Sequence, residues 1–339
     1  MSTENLSDFT TLKVGGPAKN LVHVKSEEEF IAAVRAADAS KTPLLILGGG
    51  SNVLISDQGF DGTVICVETK GNSFVIDACS GGTLTVSSGE DWDEFVAFTI
   101  EKQLANLESL SGIPGTVGGA PIQNIGAYGH EVAEVIARVR TFDRTLGEIK
   151  SFAASECEFG YRTSKFKKEA GRYVILDVTF QLRRGEESLP VQYSELAKEL
   201  GVEIGARVPI AKLREVVLKL RAAKGMLVGG GINSAGSFFT NPILSAADAA
   251  KLPVDAPKWP QSDGKVKTSA AWLMEHSGVE KGFKLAGAQI SPKHVLALSN
   301  SGDATAADLI ALAKDARAKV LEKFGINLEP EVQFVGVTI

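Results

Sequence analysis

The sequence lacks the residues from which metal sites and disulfide frameworks are built. Its three cysteines, Cys66, Cys79 and Cys157, form no C-x-x-C pair, and its four histidines are scattered along the chain. A structural metal or a set of disulfides needs more ligands or closely spaced cysteine pairs. We therefore expect buried, reduced thiols, no bound metal and a cytoplasmic location.

Charge and hydropathy argue against two further classes of protein. The formal net charge is −5 and the chain has no basic stripe, which disfavours non-specific binding of nucleic acid. No apolar run approaches the roughly 20 residues of a membrane-spanning helix, and the polar N-terminus has no signal-peptide pattern. We expect neither nucleic acid nor membrane among the partners.

Local patterns predict a mixed α+β protein. A chain of 339 residues is long enough for roughly two or three domains. Near the N-terminus, a short strand, a helix capped by Ser26 and Glu29 and an apolar strand at 43–47 suggest a βαβ-like unit. Alternating apolar residues at 173–182 predict an antiparallel sheet, and helical spacing recurs at 305–324.

Glycine is abundant, and it clusters in two loops. Residues 48–52 read GGGSN after the apolar strand, so their amides could converge on an anion, although a plain tight turn fits the triplet equally well. Neither G-x-G-x-x-G nor a Walker lysine is present. Residues 110–129 hold six glycines and two prolines without helical or strand periodicity. Such an apolar, irregular stretch favours a rigid loop shaped on a ligand, and we predict that both loops grip one dinucleotide diphosphate.

Three polar residues stand in sequence settings suited to catalysis. Arg162 offers a rigid fork for a carboxylate or an oxyanion, and Ser237 lies between a glycine and two phenylalanines. Glu331 stands beside a proline near the final strand-like run. Taken singly, each also fits an ordinary role, namely a surface ion pair, a turn cap and a solvent-facing carboxylate. No G-x-S-x-G elbow surrounds Ser237, so a hydrolase triad has little support.

Seven motifs in a fixed order give these residues a shared context. They are LILGGGSNVL (45–54), GEDW (89–92), IPGTVGGAPIQNIGAYG (113–129), FGYRTSKFK (159–167), AGSFFTNP (235–242), AWLMEHSG (271–278) and LEPEV (328–332). In this order, across nearly the whole chain, they resemble the UDP-N-acetylenolpyruvoylglucosamine reductase family, flavoenzymes that complete UDP-N-acetylmuramate for peptidoglycan.

The resemblance implies a fold and a domain division. It implies an α+β protein with a two-part FAD-binding module of the vanillyl-alcohol-oxidase (PCMH) type and a C-terminal substrate-binding α+β domain. The first FAD-binding part would be 1–70, joined by a C-terminal strand at 327–339. The second part would be 71–220, and the substrate-binding domain would be 221–326. We expect a monomer.

The resemblance also implies a reaction and its catalytic residues. NADPH would reduce bound FAD, and a hydride would then reach C3 of the enolpyruvyl group of UDP-N-acetylglucosamine enolpyruvate. Ser237 would give a proton to C2, while Arg162 and Glu331 would stabilise the intermediate. This division is physically sound because Arg162 brings positive charge to an oxyanion, and a protonated Glu331 could donate a hydrogen bond to it.

Ligand-binding positions follow from the same motifs. The resemblance implies that FAD is bound by Gly48, Gly50, Ser51, Asn52, Pro114, Gly115, Gly118, Gly119, Ile122, Gly126 and Arg221. It implies that the substrate is bound by Tyr128, Tyr193, Lys224 and Asn241, with Tyr193 belonging to a longer form of the family in which a tyrosine covers the nucleotide sugar. The sequence departs from the family pattern at Thr240, Lys293, His294 and Gln333. These departures bear on the contacts to substrate phosphates and ribose.

Two other functions remain open on the sequence. An FAD-linked oxidase of a small alcohol or sugar would have the same fold, but it would leave Ser237 and Glu331 without a role. A nucleotide-sugar-binding protein without redox chemistry is also conceivable. The intact set of Arg162, Ser237 and Glu331 counts against it.

Overall fold

A computed structural model describes residues 4–77 and 81–339, and these divide into two compact units. The terminal unit comprises Met1–Pro17, Gly50–Phe60 and Lys224–Ile339. The central unit comprises Ala18–Gly49 and Asp61–Ala223. Cys79, for which we expect a buried thiol, lies outside the described residues. The three-part domain division implied by the resemblance remains a prediction.

The helices and strands of the described residues follow in chain order. The α-helices are α1 (Glu27–Ala39), α2 (Trp92–Glu101), α3 (Lys165–Lys168), α4 (Ser194–Leu200), α5 (Ile210–Ala223), α6 (Ala246–Ala250), α7 (Ala270–His276) and α8 (Ala306–Phe324). The strands are β1 (Ala18–Val24), β2 (Leu44–Leu47), β3 (Val53–Ile55), β4 (Phe60–Val67), β5 (Asn72–Asp77), β6 (Gly81–Ser87), β7 (Leu104–Ala105), β8 (Gly126–Ala127), β9 (His130–Glu131), β10 (Ile136–Asp143), β11 (Glu148–Ala153), β12 (Tyr173–Arg184), β13 (Asn233–Ser234), β14 (Ile243–Leu244), β15 (Lys258–Pro260), β16 (Val266–Thr268), β17 (Lys284–Leu285), β18 (Ala288–Ile290), β19 (Leu298–Asn300) and β20 (Gln333–Val335).

The N-terminal part of the central unit is the predicted βαβ-like layer. Strands β1, β4 and β2 form one sheet, with β2 and β4 parallel. Helix α1 begins where the Ser26 hydroxyl accepts the amide of Glu29. Its buried face, which includes Phe30 and Val34, packs against Ile65 of β4 in one apolar core. The prediction of a helix packed on a short sheet is confirmed.

A larger antiparallel sheet forms the rest of the central unit, in the order β11-β10-β12-β6-β5. Its longest strand, β12, pairs with β10 on one side and with β6 on the other. Val174 and Leu176 join the core around α1, whereas Val178 and Phe180 join a second core with Trp92 and Phe95 of α2. The predicted antiparallel sheet is confirmed, and β12 is buried on both faces because helices cover both.

The terminal unit has short antiparallel sheets around α7 and α8. Their orders are β13-β19-β18-β17 and β14-β16-β15. Helix α8 begins with a capping box between Thr305 and Asp308 and ends at Gly325, whose φ of 67° permits the left-handed turn. The final strand-like run forms β20, which pairs with β3 in parallel register. Within residues 4–77 and 81–339, no helix has the length and apolarity needed to cross a membrane.

Candidate functional site

Within the central unit, Gly48 and Gly49 of the first glycine loop approach the second glycine loop closely, with no side chain of their own in between. A Cβ atom at Gly48 would lie 2.5 Å from Oγ1 of Thr116, and one at Gly49 would lie 2.8 Å from Cα of Gly115. A Cβ at Gly118 would likewise lie 2.5 Å from Cβ of Ser88. Any side chain at these positions would therefore displace the facing loop. Two glycine-rich loops that approach this closely without side chains between them are suited to a diphosphate, and in this respect the residues fit FAD.

The loop at 110–129, which we call the cofactor loop, is held by hydrogen bonds to the start of α2. The Trp92 indole donates to the Leu110 carbonyl at 3.0 Å, and the Trp92 amide donates to the Gly115 carbonyl at 3.0 Å. The Val117 amide donates to the Glu90 carbonyl at 2.9 Å. Ile122 nevertheless keeps 39% of its surface exposed. The loop is rigid yet presents apolar surface, as a cofactor site requires.

Gly112, near the start of the cofactor loop, is clamped from two helices. Its amide donates to Oδ1 of Asp93 at 2.6 Å, and its carbonyl accepts from Nε of Arg221 at 3.0 Å. Arg214 completes the clamp through a two-pronged ion pair with Asp93, at 2.6 and 2.8 Å. The clamp fixes both the loop and the predicted FAD-binding Arg221.

The charges of this clamp support one another. Burial alone would raise the pKa of Asp93. The hydrogen bonds from Arg214 and Gly112 lower the pKa by more than burial raises it, so the pKa of Asp93 lies below its usual value. Burial lowers the pKa of Arg221, against the opposing influence of Tyr128 and Asp93. Sequence reasoning missed Asp93 and Arg214. The seven-residue spacing of Arg214 and Arg221, which places them on one helix face, was the available signal.

Arg162 lies against the cofactor loop. It occupies a tight turn at φ 51°, and its Nη2 donates to the Gly126 carbonyl at 2.8 Å. The neighbouring Ser164 hydroxyl donates to the Ile122 carbonyl at 2.6 Å. The guanidinium also lies over the Tyr161 ring, 5.4 Å from its centroid. The motif at 159–167 and the cofactor loop are thus built into one structure, which brings Arg162 beside predicted FAD-binding residues.

Tyr128 and Tyr193 form a pair in the central unit. Tyr128 and Gly129 occupy the turn of the β8–β9 hairpin with φ of 53° and 92°, the backbone of a type I′ turn. The Tyr193 ring meets Tyr128 edge-on, with centroids 5.7 Å apart. Burial, together with Glu195 and Tyr193, raises the pKa of Tyr128 to about 12 despite the opposing charge of Arg221. Its hydroxyl is therefore neutral and able to donate at physiological pH.

In the terminal unit, backbone pairing brings Ser237 and Glu331 onto adjacent segments. The Glu331 amide donates to the Phe238 carbonyl at 2.8 Å, and the Thr240 amide donates to the Glu329 carbonyl at 2.9 Å. The Asn52 side chain donates to the Glu331 carbonyl at 3.2 Å. Residues 237, 331 and 52 are thereby held in one small region of this unit.

The remaining predicted substrate residues also lie at fixed points of the terminal unit. The Asn241 side-chain oxygen accepts the Ala270 amide at 2.9 Å, at the start of α7. A Cβ at Gly225, next to Lys224, would lie 3.2 Å from Cδ of Lys293. His294 accepts the Leu296 amide through Nδ1 at 3.2 Å, so this departure from the family pattern serves a local turn.

Two of the cysteines, and the possible metal ligands, lie within the described residues. Cys66 and Cys157 are buried, as predicted, and burial followed by the charge of Glu156 raises the pKa of Cys157 to about 12. Among residues 4–77 and 81–339, no three His, Cys, Asp or Glu side chains cluster closely enough to hold a metal ion.

Comparison with known proteins agrees with the family resemblance of the seven sequence motifs. Residues 18–153 match the family model "FAD binding domain", and residues 229–335 match "UDP-N-acetylenolpyruvoylglucosamine reductase, C-terminal domain". A relative with that reductase name from Cutibacterium acnes is 52% identical over 98% of this chain and 90% of its own length. One from Thermobifida fusca is 47% identical over 98% and 97%. The solved structure of the reductase from Thermus caldophilus superposes with a TM-score of 0.69 at 26% identity, over 98% of each chain.

Proposed function

Because the chain belongs to the UDP-N-acetylenolpyruvoylglucosamine reductase family and is an FAD-dependent oxidoreductase, we propose that it reduces UDP-N-acetylglucosamine enolpyruvate to UDP-N-acetylmuramate. NADPH is the electron donor, and the product enters peptidoglycan precursor synthesis. The proposal includes a cytoplasmic monomer. The observation that carries it is the backbone cradle of Gly48, Gly49 and Gly115, to which Arg162 is joined through the cofactor loop.

FAD, when bound, supplies the hydride-transfer chemistry, and the chain supplies its binding site. Amide groups of the two glycine loops and the Arg221 guanidinium are suited to the diphosphate. The exposed Ile122 side chain offers an apolar contact. The proposed binding residues of the central unit are Gly48, Pro114, Gly115, Gly118, Gly119, Ile122, Gly126 and Arg221. Those of the terminal unit are Gly50, Ser51 and Asn52.

Substrate binding rests on groups that can recognise a nucleotide diphosphate under a tyrosine cover. The Lys224 ammonium complements the diphosphate charge. A pKa of about 12 keeps Tyr128 protonated, so its hydroxyl donates to phosphate instead of repelling it. Tyr193, which is 42% exposed and in edge contact with Tyr128, covers the sugar nucleotide. Asn241, fixed at the start of α7, contributes a polar contact.

Proton delivery and charge stabilisation complete the reaction. The Ser237 hydroxyl gives the proton to C2 of the enolpyruvyl group. Arg162 stabilises the negative charge that develops on the substrate, since a preorganised guanidinium needs no reorganisation as the charge appears. Glu331 acts on the same intermediate, and its amide donates to the carbonyl of Phe238, the residue after Ser237.

Purified holoenzyme tests the proposal directly. We expect a yellow protein that oxidises one NADPH for each UDP-N-acetylglucosamine enolpyruvate reduced, without oxygen uptake, and elutes as a monomer. Steady oxygen consumption without the enolpyruvyl substrate would replace the proposal with an oxidase. Protein that cannot be loaded with FAD, yet binds the nucleotide sugar, would make it a binding protein.

A further inference from the structure

His130 is a buried side chain to which the proposed reaction gives no role. It stands in β9, directly after the turn that holds Tyr128, and only 5% of its surface is exposed. Its Nδ1 lies 3.0 Å from Oε2 of Glu134, and its Nε2 lies 3.4 Å from the Pro190 carbonyl. The ring therefore bridges the β8–β9 hairpin to the stretch 188–193, which we call the tyrosine segment because it ends at Tyr193.

Both partners of the ring can only accept hydrogen bonds. A neutral imidazole has a single N–H and can serve one of them, whereas an imidazolium has two and serves both. Burial opposes the charged form, but the hydrogen bond and charge of Glu134, the Pro190 carbonyl and the charge of Glu108 outweigh it. The pKa of His130 is therefore raised above its usual value. Geometry and charge agree that the imidazolium is the form that fits.

The charged groups around this ring come from several elements. Glu134 lies on the turn that follows β9, and its pKa is lowered because the bonds from His130 and the Glu131 amide outweigh burial. Glu108 precedes the cofactor loop, and its carboxylate also accepts the Leu189 amide at 3.3 Å. Arg207 donates to the Ser188 carbonyl, at the start of the tyrosine segment, at 2.7 Å.

The tyrosine segment lies directly on the hairpin. A Cβ at Gly129 would lie 3.0 Å from Cβ of Gln192, the residue before Tyr193. The Tyr193 ring then meets Tyr128, which stands in the hairpin turn. A change in the bond between His130 and Pro190 therefore acts three residues away from Tyr193.

We propose that doubly protonated His130 is a positioning residue that holds the tyrosine segment, and with it Tyr193, against the hairpin of the cofactor loop. This inference rests on the substrate role given to Tyr193 above. The ionised Glu134 at 3.0 Å is a stronger acceptor than the Pro190 carbonyl at 3.4 Å, so a neutral ring keeps its bond to Glu134 and loses its bond to Pro190. Tyr193 then covers the substrate less often. The KM for the nucleotide sugar then rises with pH, while kcat changes little.

Titration of the imidazole by NMR tests the protonation state without reference to activity. The four histidines give few signals, and His130→Gln assigns the one from His130. We expect this signal to titrate above 6.5, the ordinary value of the group, and to move down in Glu134→Gln. A signal from His130 that titrates below 6.5 in the unaltered protein would overturn the proposal.

Steady-state kinetics tests the positioning role. At pH 7 we expect His130→Gln to raise the KM for the nucleotide sugar roughly fivefold, as for loss of one hydrogen bond, with kcat within about twofold. Glu134→Gln should shift the pH at which KM rises to lower values. The matched control is His23→Gln, which removes a histidine that pairs with Glu68 at 2.5 Å on an exposed strand; its KM should not change.

Two outcomes separate the proposal from the function on which it rests. If Tyr193→Ala raises KM but His130→Gln and Glu134→Gln do not, the positioning role of His130 is wrong and the role of Tyr193 stands. If Tyr193→Ala leaves KM unchanged, the assigned role of Tyr193 fails. In that case a pH-dependent KM that disappears in His130→Gln would show that His130 acts through another contact, which also overturns the proposal. FAD content and thermal melting show whether each variant is folded.

Discussion

The two units hold their candidate site residues in different ways. In the central unit, the glycine loops touch backbone to backbone, and side chains such as Asp93, Arg162 and Arg221 fasten the loop carbonyls and amides. In the terminal unit, Ser237 and Glu331 are placed by main-chain pairing of their segments. In the central unit, the positions of the site residues depend on side-chain contacts and on glycines that lack a Cβ atom. In the terminal unit, the positions of Ser237 and Glu331 do not depend on their own side chains.

This contrast predicts which substitutions isolate chemistry from structure. A side chain placed by main-chain bonds can be removed without moving its neighbours. A side chain or glycine that shapes a loop cannot be changed without altering the loop itself. The three predictions that follow test this difference in order of expected effect.

The largest effect is expected from Ser237→Ala. Because the backbone bonds around Phe238 remain, the fold and the flavin site should be unchanged, while proton delivery to C2 is lost. We expect turnover to fall by about 100-fold to 10,000-fold. Bleaching of the flavin by NADPH in a stopped-flow experiment should continue at the normal rate.

Thr240→Ala is the matched control for Ser237→Ala. Its hydroxyl donates to the Glu329 carbonyl on the same pair of segments, at 3.2 Å, and its backbone amide bonds remain after the change. It should reduce turnover far less than Ser237→Ala. Full turnover in Ser237→Ala would remove Ser237 from the mechanism, and equal losses in both variants would mean that the segment, not the hydroxyl, is critical.

A smaller but structural effect is expected from Gly49→Ala. The new methyl group would lie 2.8 Å from Cα of Gly115, so one glycine loop must move. Overpacking of this kind weakens FAD binding on the order of tenfold to a hundredfold, measured as the dissociation constant by flavin fluorescence. Gly147→Ala is a control in the same unit, since a Cβ there meets nothing within 4 Å, although its φ of 71° costs some stability. Equal FAD affinity in both variants would contradict the backbone cradle.

Much of the architecture could be predicted from sequence periodicity and end signals. Helix α8 covers Ala306–Phe324, as the helical spacing at 305–324 predicts, and the strand-like final run contains β20. The glycine pattern also identified the two loops that meet at Gly49 and Gly115. These features are local, because a few neighbouring residues determine them.

The contacts that fasten the site could not be predicted in the same way. Asp93 meets Gly112 across 19 residues, and His130 meets Pro190 across 60. Neither pair has a spacing that marks it, because the partners come together only once helices and strands have packed. Sequence periodicity predicts helices and strands, whereas contacts between residues far apart in the chain depend on tertiary structure.

The smallest effect is expected from replacing an aspartate that binds backbone amides. Each unit has one such aspartate, Asp93 in the central unit and Asp57 in the terminal unit, and we expect only the first to affect FAD affinity. Asp93→Asn weakens the clamp on Gly112 and the ion pair with Arg214, so we expect the dissociation constant of FAD to rise roughly tenfold, as for loss of a charge-assisted hydrogen bond. Asp57→Asn weakens a carboxylate that accepts the first amides of α8, at 2.7 and 3.1 Å. It should lower thermal stability while the FAD affinity stays the same.

The pH dependence of the two variants sharpens this last test. The pKa of Asp93 is lowered in the folded protein, so its stabilising contribution is complete above 3.8, the ordinary value, and is lost as the pH falls through the folded pKa. The stability of Asp93→Asn, measured by acid unfolding with circular dichroism, should therefore lack the part of the pH dependence that Asp93 contributes. If Asp57→Asn weakened FAD binding as much as Asp93→Asn, the fastening of the cofactor loop would not be a property of the central unit alone, and the contrast between the two units would fail.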